Sequence, residues 1–186
     1  QMCIRDSCMS DRENHLKFVY AGRLLRSKGV LDAAEMVAKL FRMGKAVEFK
    51  VFGEVDPENS ASLSMEELKY LRSLPFVKTY GHVEDKEHIF RDSNIAILLS
   101  DYNEGLSRFL IEALAYKLVI VTVNRPGCRE LAMHGNGVCI SNEDEFINFF
   151  EEPFNLVELR QKSYDAFKTF YEDVKIYNSY KELLSE

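Results

Sequence analysis

Residues 95–123 read IAILLSDYNEGLSRFLIEALAYKLVIVTV, and this stretch decides the fold. It holds two apolar runs, at 95–99 and 118–123, that do not alternate between apolar and polar residues. Continuous apolar runs are typical of parallel strands that are covered on both faces. Residues 109–115 are apolar except for Glu112, which predicts a helix that is buried on most of its circumference. A helix that joins two parallel strands forms a βαβ unit, so the stretch predicts an α/β protein.

The same alternation of strand and helix extends to both sides of this unit. Further short runs rich in β-branched and aromatic residues predict strands at 16–21, 47–52, 76–80 and 137–140. Between the first two runs, a stripe of apolar residues at helical spacing predicts an amphipathic helix, with Val30, Ala34, Val37, Ala38 and Phe41 on it. The whole pattern predicts a Rossmann-like parallel sheet with flanking helices.

A polar interruption follows the second strand. After Gly53, Pro57 and a Ser/Asn-rich stretch at 59–64 break the pattern, before a short charged helix that we predict at 65–72. We interpret the interruption as a functional loop.

The chain is long enough for one domain with an appended helix. Its 186 residues divide into a leader at 1–10, an α/β domain at 11–150 and a helical tail at 151–186, which packs across the domain or reaches a neighbour. The leader resembles a translated sequencing adapter, and we exclude it from the fold. If it is not native, the reading frame continues upstream and the chain is a fragment that lacks an N-terminal partner.

Composition excludes several classes of protein. With 24 basic and 30 acidic residues the net charge is -6, which argues against a general nucleic-acid binder. No apolar run reaches the roughly 18 residues of a membrane-spanning helix, and the N-terminus lacks the apolar core of a signal peptide. The cysteines show no zinc-ligand spacing and fit a reducing compartment such as the cytosol: Cys3, Cys8, Cys128 and Cys139.

Two cations follow the first strand. Arg23 comes after Gly22, and Lys28 comes just before Gly29 at the start of the first helix. Ligands of parallel α/β sheets bind outside the carboxyl ends of the strands, so Arg23 and Lys28 are placed to hold an anion. The alternative is that the glycines are turn residues and both cations are solvated.

Two carboxylates flank the turn into the helix of the central unit. Glu104 stands at the turn, Gly105 permits a close backbone approach, and Glu112 lies inside the helix. A buried carboxylate needs partners. For Glu112 these could be ligand hydroxyls, or Arg23 or Arg129 in a structural ion pair. The alternative for Glu104 is a favourable place at the positive end of the helix dipole.

Taken together, these motifs resemble a known family. Gly22-Arg23-Leu24 with Lys28-Gly29, the Glu104 and Glu112 pair, and the run at 126–130 occur in the order and spacing of the donor-binding C-terminal half of GT-B glycosyltransferases. The similarity is to the retaining GT4 family, also called glycosyltransferase group 1, over about residues 16–150. The loop at 52–59 with the run at 80–82 is similar to the subgroup that builds bacterial capsule, O-antigen and lipid-linked oligosaccharide chains.

The resemblance implies a role for each candidate residue. Arg23 and Lys28 would hold the diphosphate of a nucleotide-sugar, Glu112 would accept hydrogen bonds from the ribose hydroxyls, and Glu104 would contact the donor sugar. Glu104, Arg23 and Lys28 would form the catalytic set. The backbone N–H groups near three residues would complete the cradle, namely Gly105, Leu106 and Ser107, although Ser107 stands where a proline is common in the family.

The resemblance also implies substrates and partners. The donor would be a UDP-sugar, used as substrate, with no cofactor and no metal. The acceptor, a glycan or a lipid-linked glycan, would bind through the missing N-terminal domain, so the fragment alone would not transfer sugar. The segment would not enter the membrane, and the protein would be cytoplasmic, either free or held at the inner membrane by the missing domain.

Two other functions are compatible with the sequence. The first is a nucleotide-sugar-binding subunit without activity of its own. The second is a flavodoxin-like regulatory module such as a phospho-receiver. A receiver needs clustered acidic residues after its first strands to bind magnesium, whereas here the first strand leads into Gly22 and Arg23, which disfavours it.

Overall fold

The fold is a parallel sheet of six strands. The computed structural model describes residues 15–102 and 105–172. The strands are β1 (Leu16–Ala21), β2 (Val47–Phe52), β3 (Val77–Tyr80), β4 (Ile95–Leu98), β5 (Val119–Val123) and β6 (Gly137–Ile140). Their order is β3-β2-β1-β4-β5-β6, and every neighbouring pair is parallel.

The strand order confirms the predicted Rossmann-like architecture. It is the order of doubly wound dinucleotide-binding folds and differs from the 2-1-3-4-5 order of flavodoxin-like modules. The bounds of β1, β2 and β6 are those predicted, and the bounds of β3, β4 and β5 differ from the prediction by one residue each.

Four helices lie between strands along the described chain, and two follow the last strand. They are α1 (Val30–Arg42), α2 (Met65–Ser73), α3 (Lys86–Phe90), α4 (Arg108–Ala115), α5 (Glu143–Glu151) and α6 (Leu156–Ala166). Short 3-10 turns occur at Arg26–Lys28 and Arg129–Leu131, and α6 continues into a π-helical turn at Phe167–Tyr171. The predicted leader at 1–10 and the predicted tail after residue 172 lie outside the described residues. None of the described helices combines the length and the apolar character that crossing a membrane requires.

The core lies on both faces of the central strands. All residues of β4 are buried, as its continuous apolar run predicts. Phe18 of β1 is fully buried and packs edge-on against Phe150 of α5, with ring centroids 5.5 Å apart. Phe150 also packs edge-on against Phe146 at 5.0 Å. The aromatic residues of α5 therefore belong to the core.

The face of α1 differs from the prediction at one position. Val30, Ala34, Val37 and Ala38 are buried as predicted, but Phe41 is 45% exposed. Phe41 lies in the last turn of α1, where its ring packs against Phe76 at 5.3 Å and the rest of the residue meets solvent.

The described part of the helical tail packs across the domain. Ser163 of α6 is fully buried, and its Oγ donates a hydrogen bond of 2.7 Å to the carbonyl oxygen of Leu118. Arg160 Nε donates to the carbonyl oxygen of Lys117 at 2.9 Å. These bonds fasten α6 to the turn between α4 and β5.

Candidate functional site: a cleft at the carboxyl ends of the strands

The strand order creates a crevice beside β1. From β1 the chain continues to β2, toward one edge of the sheet, and from β4 it continues to β5, toward the other edge. Open α/β sheets bind ligands at the point where the direction changes, between two such strands. A cleft of about 620 Å³ opens at the carboxyl ends of β1, β2 and β3. Its lining comes from the segments after these strands and from α3 and α4, and includes Gly22, Arg23, Glu54, Asp56, His82, Lys86, Arg108 and Glu112.

The floor of the cleft is backbone packed on backbone. Gly22 N–H donates to the carbonyl oxygen of Phe52 at 3.0 Å, and Gly53 N–H approaches the carbonyl oxygen of Gly81 at 3.2 Å. Gly53 has a φ of +144°, and a Cβ there would lie 1.9 Å from the carbonyl oxygen of Gly22. Only glycine fits at position 53, so the segments after β1, β2 and β3 are held together by main-chain contacts.

The start of α1 is packed equally closely against the end of β4. Gly29 has a φ of +68°, and a Cβ there would lie 2.1 Å from the carbonyl oxygen of Leu99. Nearby, Asp101 N–H donates to the carbonyl oxygen of Ser27 at 2.8 Å. The turn that carries Lys28 is therefore fixed to the segment that leads from β4 toward α4.

The structure brings two of the predicted site residues into one cleft. Arg23 is exposed at the end of β1 and lines the cleft together with Glu112 of α4. Lys28 is half-buried in the neighbouring 3-10 turn and is not among the described residues that line the cleft. Glu104 lies outside the described residues, so its predicted contact with the sugar stays a prediction.

Glu112 is held by two cations. Its side chain is 22% exposed; Lys86 Nζ lies 2.9 Å from Oε2, and Arg108 Nε lies 3.1 Å from Oε1. These partners replace the structural partners considered from sequence, Arg23 and Arg129. Arg129 Nε instead contacts Glu130 at 3.0 Å. Arg108 and Glu112 are four residues apart on one helix, and this spacing is a sequence signal for their ion pair. Nothing local in the sequence points to Lys86 as a partner.

The turn before α4 is partly occupied by contacts within the fold. Gly105 and Leu106 are exposed, whereas Ser107 is buried, and its N–H donates to the carbonyl oxygen of Gly127 at 3.1 Å. Of the three predicted backbone donors, Ser107 thus already has an acceptor in the protein.

The segment that accepts this bond is itself ordered by Glu130. Backbone N–H groups, including that of Gly127 at 2.7 Å, and the Arg129 guanidinium hold the pKa of the Glu130 carboxyl below its usual range. The run at 126–130 therefore supports the start of α4, which the Ser107 bond joins to it.

The loop after β2 forms a wall of the cleft. Asp56 and Pro57 line it, and the loop is fastened at its far side by Arg26. The Arg26 guanidinium makes a two-bond contact with Glu67 of 2.9 and 2.6 Å and donates to the carbonyl oxygen of Ser60 at 3.1 Å. Hydrogen bonds from Arg26 and the Ser64 backbone lower the pKa of Glu67 to about 2. This wall is the loop that the sequence predicted to be functional.

The turn after β3 supplies the opposite rim. His82 lines the cleft, and its backbone N–H donates to Glu54 Oε1 at 3.2 Å. Sequence reasoning missed Glu54, because a single carboxylate in a polar loop has no distinguishing signal.

Comparison with known proteins identifies the family. A family model described as glycosyl transferases group 1 matches residues 10–168. The chain belongs to this family. The assignment agrees with the motifs at Arg23 and Glu112, which line one cleft, and at the run 126–130.

The chain is similar to a named glycosyltransferase in sequence and to two solved proteins in fold. The chain is 25% identical over 127 residues to the capsular polysaccharide biosynthesis glycosyltransferase CapM of Staphylococcus aureus, a match that covers 68% of the chain and 33% of CapM. Anabaena HepE, solved in complex with UDP and glucose, aligns with a TM-score of 0.73 at 18% identity, over 96% of the chain and 50% of HepE. TarM aligns with a TM-score of 0.74 at 18% identity, over 94% of the chain and 36% of TarM. The chain thus spans between a third and a half of these proteins.

Proposed function

We propose that the chain is the donor-binding half of a retaining glycosyltransferase that uses a UDP-sugar. One observation carries the proposal: the cation Arg23 and the carboxylate Glu112 line the same cleft at the carboxyl ends of the strands. A nucleoside diphosphate carries the complementary groups, an anionic diphosphate and a ribose diol. The complexes of HepE with UDP and with glucose favour UDP as the nucleotide.

Each predicted residue has a step in this reaction. The oxygen of the acceptor hydroxyl bonds to the anomeric carbon on the face from which the diphosphate leaves, and the hydroxyl proton passes to the leaving group. As the bond between the anomeric carbon of the sugar and the diphosphate oxygen breaks, negative charge develops on the diphosphate. Arg23 and Lys28 neutralise that charge, and the N–H groups of Gly105 and Leu106 add hydrogen bonds. Side-chain cations take the role that a metal has in other transferases, so we propose no metal cofactor. Glu104 contacts the sugar.

The acceptor is proposed from the relatives. The name of CapM supports a glycan or lipid-linked acceptor in cell-surface polysaccharide synthesis. The chain matches only half of HepE, so we place the acceptor site outside these 186 residues. The cysteine pattern favours a cytoplasmic location, either free or at the inner membrane.

Titration calorimetry with UDP tests the donor site. Arg23→Ala should weaken UDP binding by about 1.5–3 kcal/mol, or roughly 10- to 150-fold in Kd, because a charge-assisted bond to the diphosphate is lost. Added salt should weaken the binding of UDP to the wild type more than to Arg23→Ala. Uridine has no diphosphate, so its binding should change little with salt or with the substitution.

A matched arginine variant serves as the control. Arg42 is also exposed but lies at the other end of α1, about 20 Å along the helix from its start. Arg42→Ala should bind UDP as the wild type does. Equal binding by Arg23→Ala and wild type, or no binding of UDP, GDP or ADP by the wild type, would refute the proposed donor site.

A further inference from the structure

The carboxylate of Glu112 is held from two different helices. Lys86 is the first residue of α3, and its Nζ contacts Oε2 at 2.9 Å, while Arg108, one turn before Glu112 on α4, contacts Oε1 at 3.1 Å. The backbone at Lys86 is fixed, because the preceding residue Asp85 caps α3 by accepting a hydrogen bond from Glu87 N–H. Each oxygen of Glu112 thus has one cationic partner.

The two cations leave room for a ligand on the carboxylate. An ionised carboxylate offers about four lone-pair positions, of which Lys86 and Arg108 use two. The others can accept two hydroxyl groups of a vicinal diol, provided that the plane of the carboxylate is held in one orientation. A side chain that is tethered at both oxygens meets this requirement before the ligand arrives.

We propose that Lys86 is a positioning residue that orients Glu112 toward the ribose diol and so sets the preference for ribonucleotides. The inference rests on the proposed function, in which Glu112 binds the ribose. Lys86 has the larger effect of the two cations, because it reaches Glu112 from a separate helix and thereby ties α3 to α4. Arg108 is 87% exposed and shares the helix of Glu112.

Global stability is not the main effect of this contact. The Lys86 side chain is 44% exposed and that of Glu112 is 22% exposed. Ion pairs that are this exposed contribute little to folding, so the loss of Lys86 should leave the protein folded. Its effect should instead be visible in which nucleotide the cleft prefers.

The test compares UDP with 2′-deoxy-UDP by titration calorimetry. Wild type should prefer UDP, and Lys86→Met should reduce that preference by roughly 3- to 10-fold, the equivalent of one hydrogen bond. Lys86→Met should lose less affinity for 2′-deoxy-UDP than for UDP, because the deoxy nucleotide keeps only the 3′-hydroxyl as a partner of Glu112. Lys86→Arg, which keeps a cation at the position, should restore most of the preference.

A lysine elsewhere provides the matched control. Lys162 of α6 is also 44% exposed and also pairs with a glutamate, Glu158, at 2.7 Å. Lys162→Met should match the wild type in both titrations. An unchanged preference in Lys86→Met would overturn the inference, and so would an equal loss of affinity for both nucleotides, which would make Lys86 a partner of the diphosphate. If the wild type itself binds neither nucleotide, or binds both equally, the proposed ribose site fails first.

Discussion

Replacement of Gly29 by alanine should strongly destabilise the protein. Two costs add at this position. The left-handed backbone, with a φ of +68°, costs a non-glycine residue about 1–2 kcal/mol. The new Cβ would also lie 2.1 Å from the carbonyl oxygen of Leu99 and 2.7 Å from its carbonyl carbon, and neither main-chain atom can turn away as a side chain could.

The second cost is that of an overpacked core. To reach an ordinary contact, α1 and the end of β4 must separate by about 1.3 Å, and overpacking of this kind costs about 1–3 kcal/mol. The total for Gly29→Ala is therefore about 2–5 kcal/mol, a large part of the stability of a domain of this size. Urea denaturation followed by circular dichroism measures it as a lower midpoint at an unchanged slope.

Gly44→Ala separates the two costs. Gly44 has a φ of +82°, but a Cβ there would meet nothing within 4 Å. This variant should lose only the backbone cost of about 1–2 kcal/mol. If Gly29→Ala and Gly44→Ala lost the same stability, the close approach of α1 to Leu99 would have no energetic weight and the reasoning would be refuted.

Two further variants test contacts that support the site. Glu67 has its pKa lowered from 4.5 to about 2, so its contribution to stability is complete above pH 4.5 and is lost as the pH falls toward 2. The stability difference between wild type and Glu67→Gln, measured by urea unfolding at a series of pH values, should shrink over that window, and a constant difference would contradict the pairing with Arg26. Ser163→Ala should cost about 1–3 kcal/mol, because the buried carbonyl group of Leu118 loses its donor. Ser73→Ala, which removes a similar but exposed bond of 2.7 Å, should change the stability by less than about 0.5 kcal/mol, and equal losses in the two serine variants would contradict this account.

The sheet could be predicted because its signal is local. The central strands β4 and β5 are buried on both faces, so their sequences are continuous apolar runs that nothing else in a short segment explains. The ends of the strands were harder to place. An apolar run can extend past the hydrogen-bonded part of the strand, so apolar character alone does not show where the strand ends. The exposure of Phe41 was missed because helical periodicity does not report where a helix extends past the sheet.

The site could be predicted only in part. Arg23 stands directly after β1, and Glu112 lies in α4, the helix that follows β4. The fold therefore brings both residues to one edge of the sheet. The partner of Glu112 on α3 could not be predicted, because Lys86 belongs to another helix and no periodicity connects the two positions. The wall made by Asp56 was recognised as a loop, but its fastening by Arg26 depends on tertiary contacts alone.

The backbone floor of the cleft has a consequence for changing what the cleft binds. Because the segments after β1, β2 and β3 meet through main-chain atoms at Gly22 and Gly53, the floor offers no side chain to exchange. Directed evolution of a new donor preference should therefore concentrate its mutations on the wall and the rim, at Asp56 and His82, and should keep position 53 constant. A library randomised across the floor would contain mostly unfolded proteins. A library confined to the wall and the rim would sample ligand contacts on an intact scaffold.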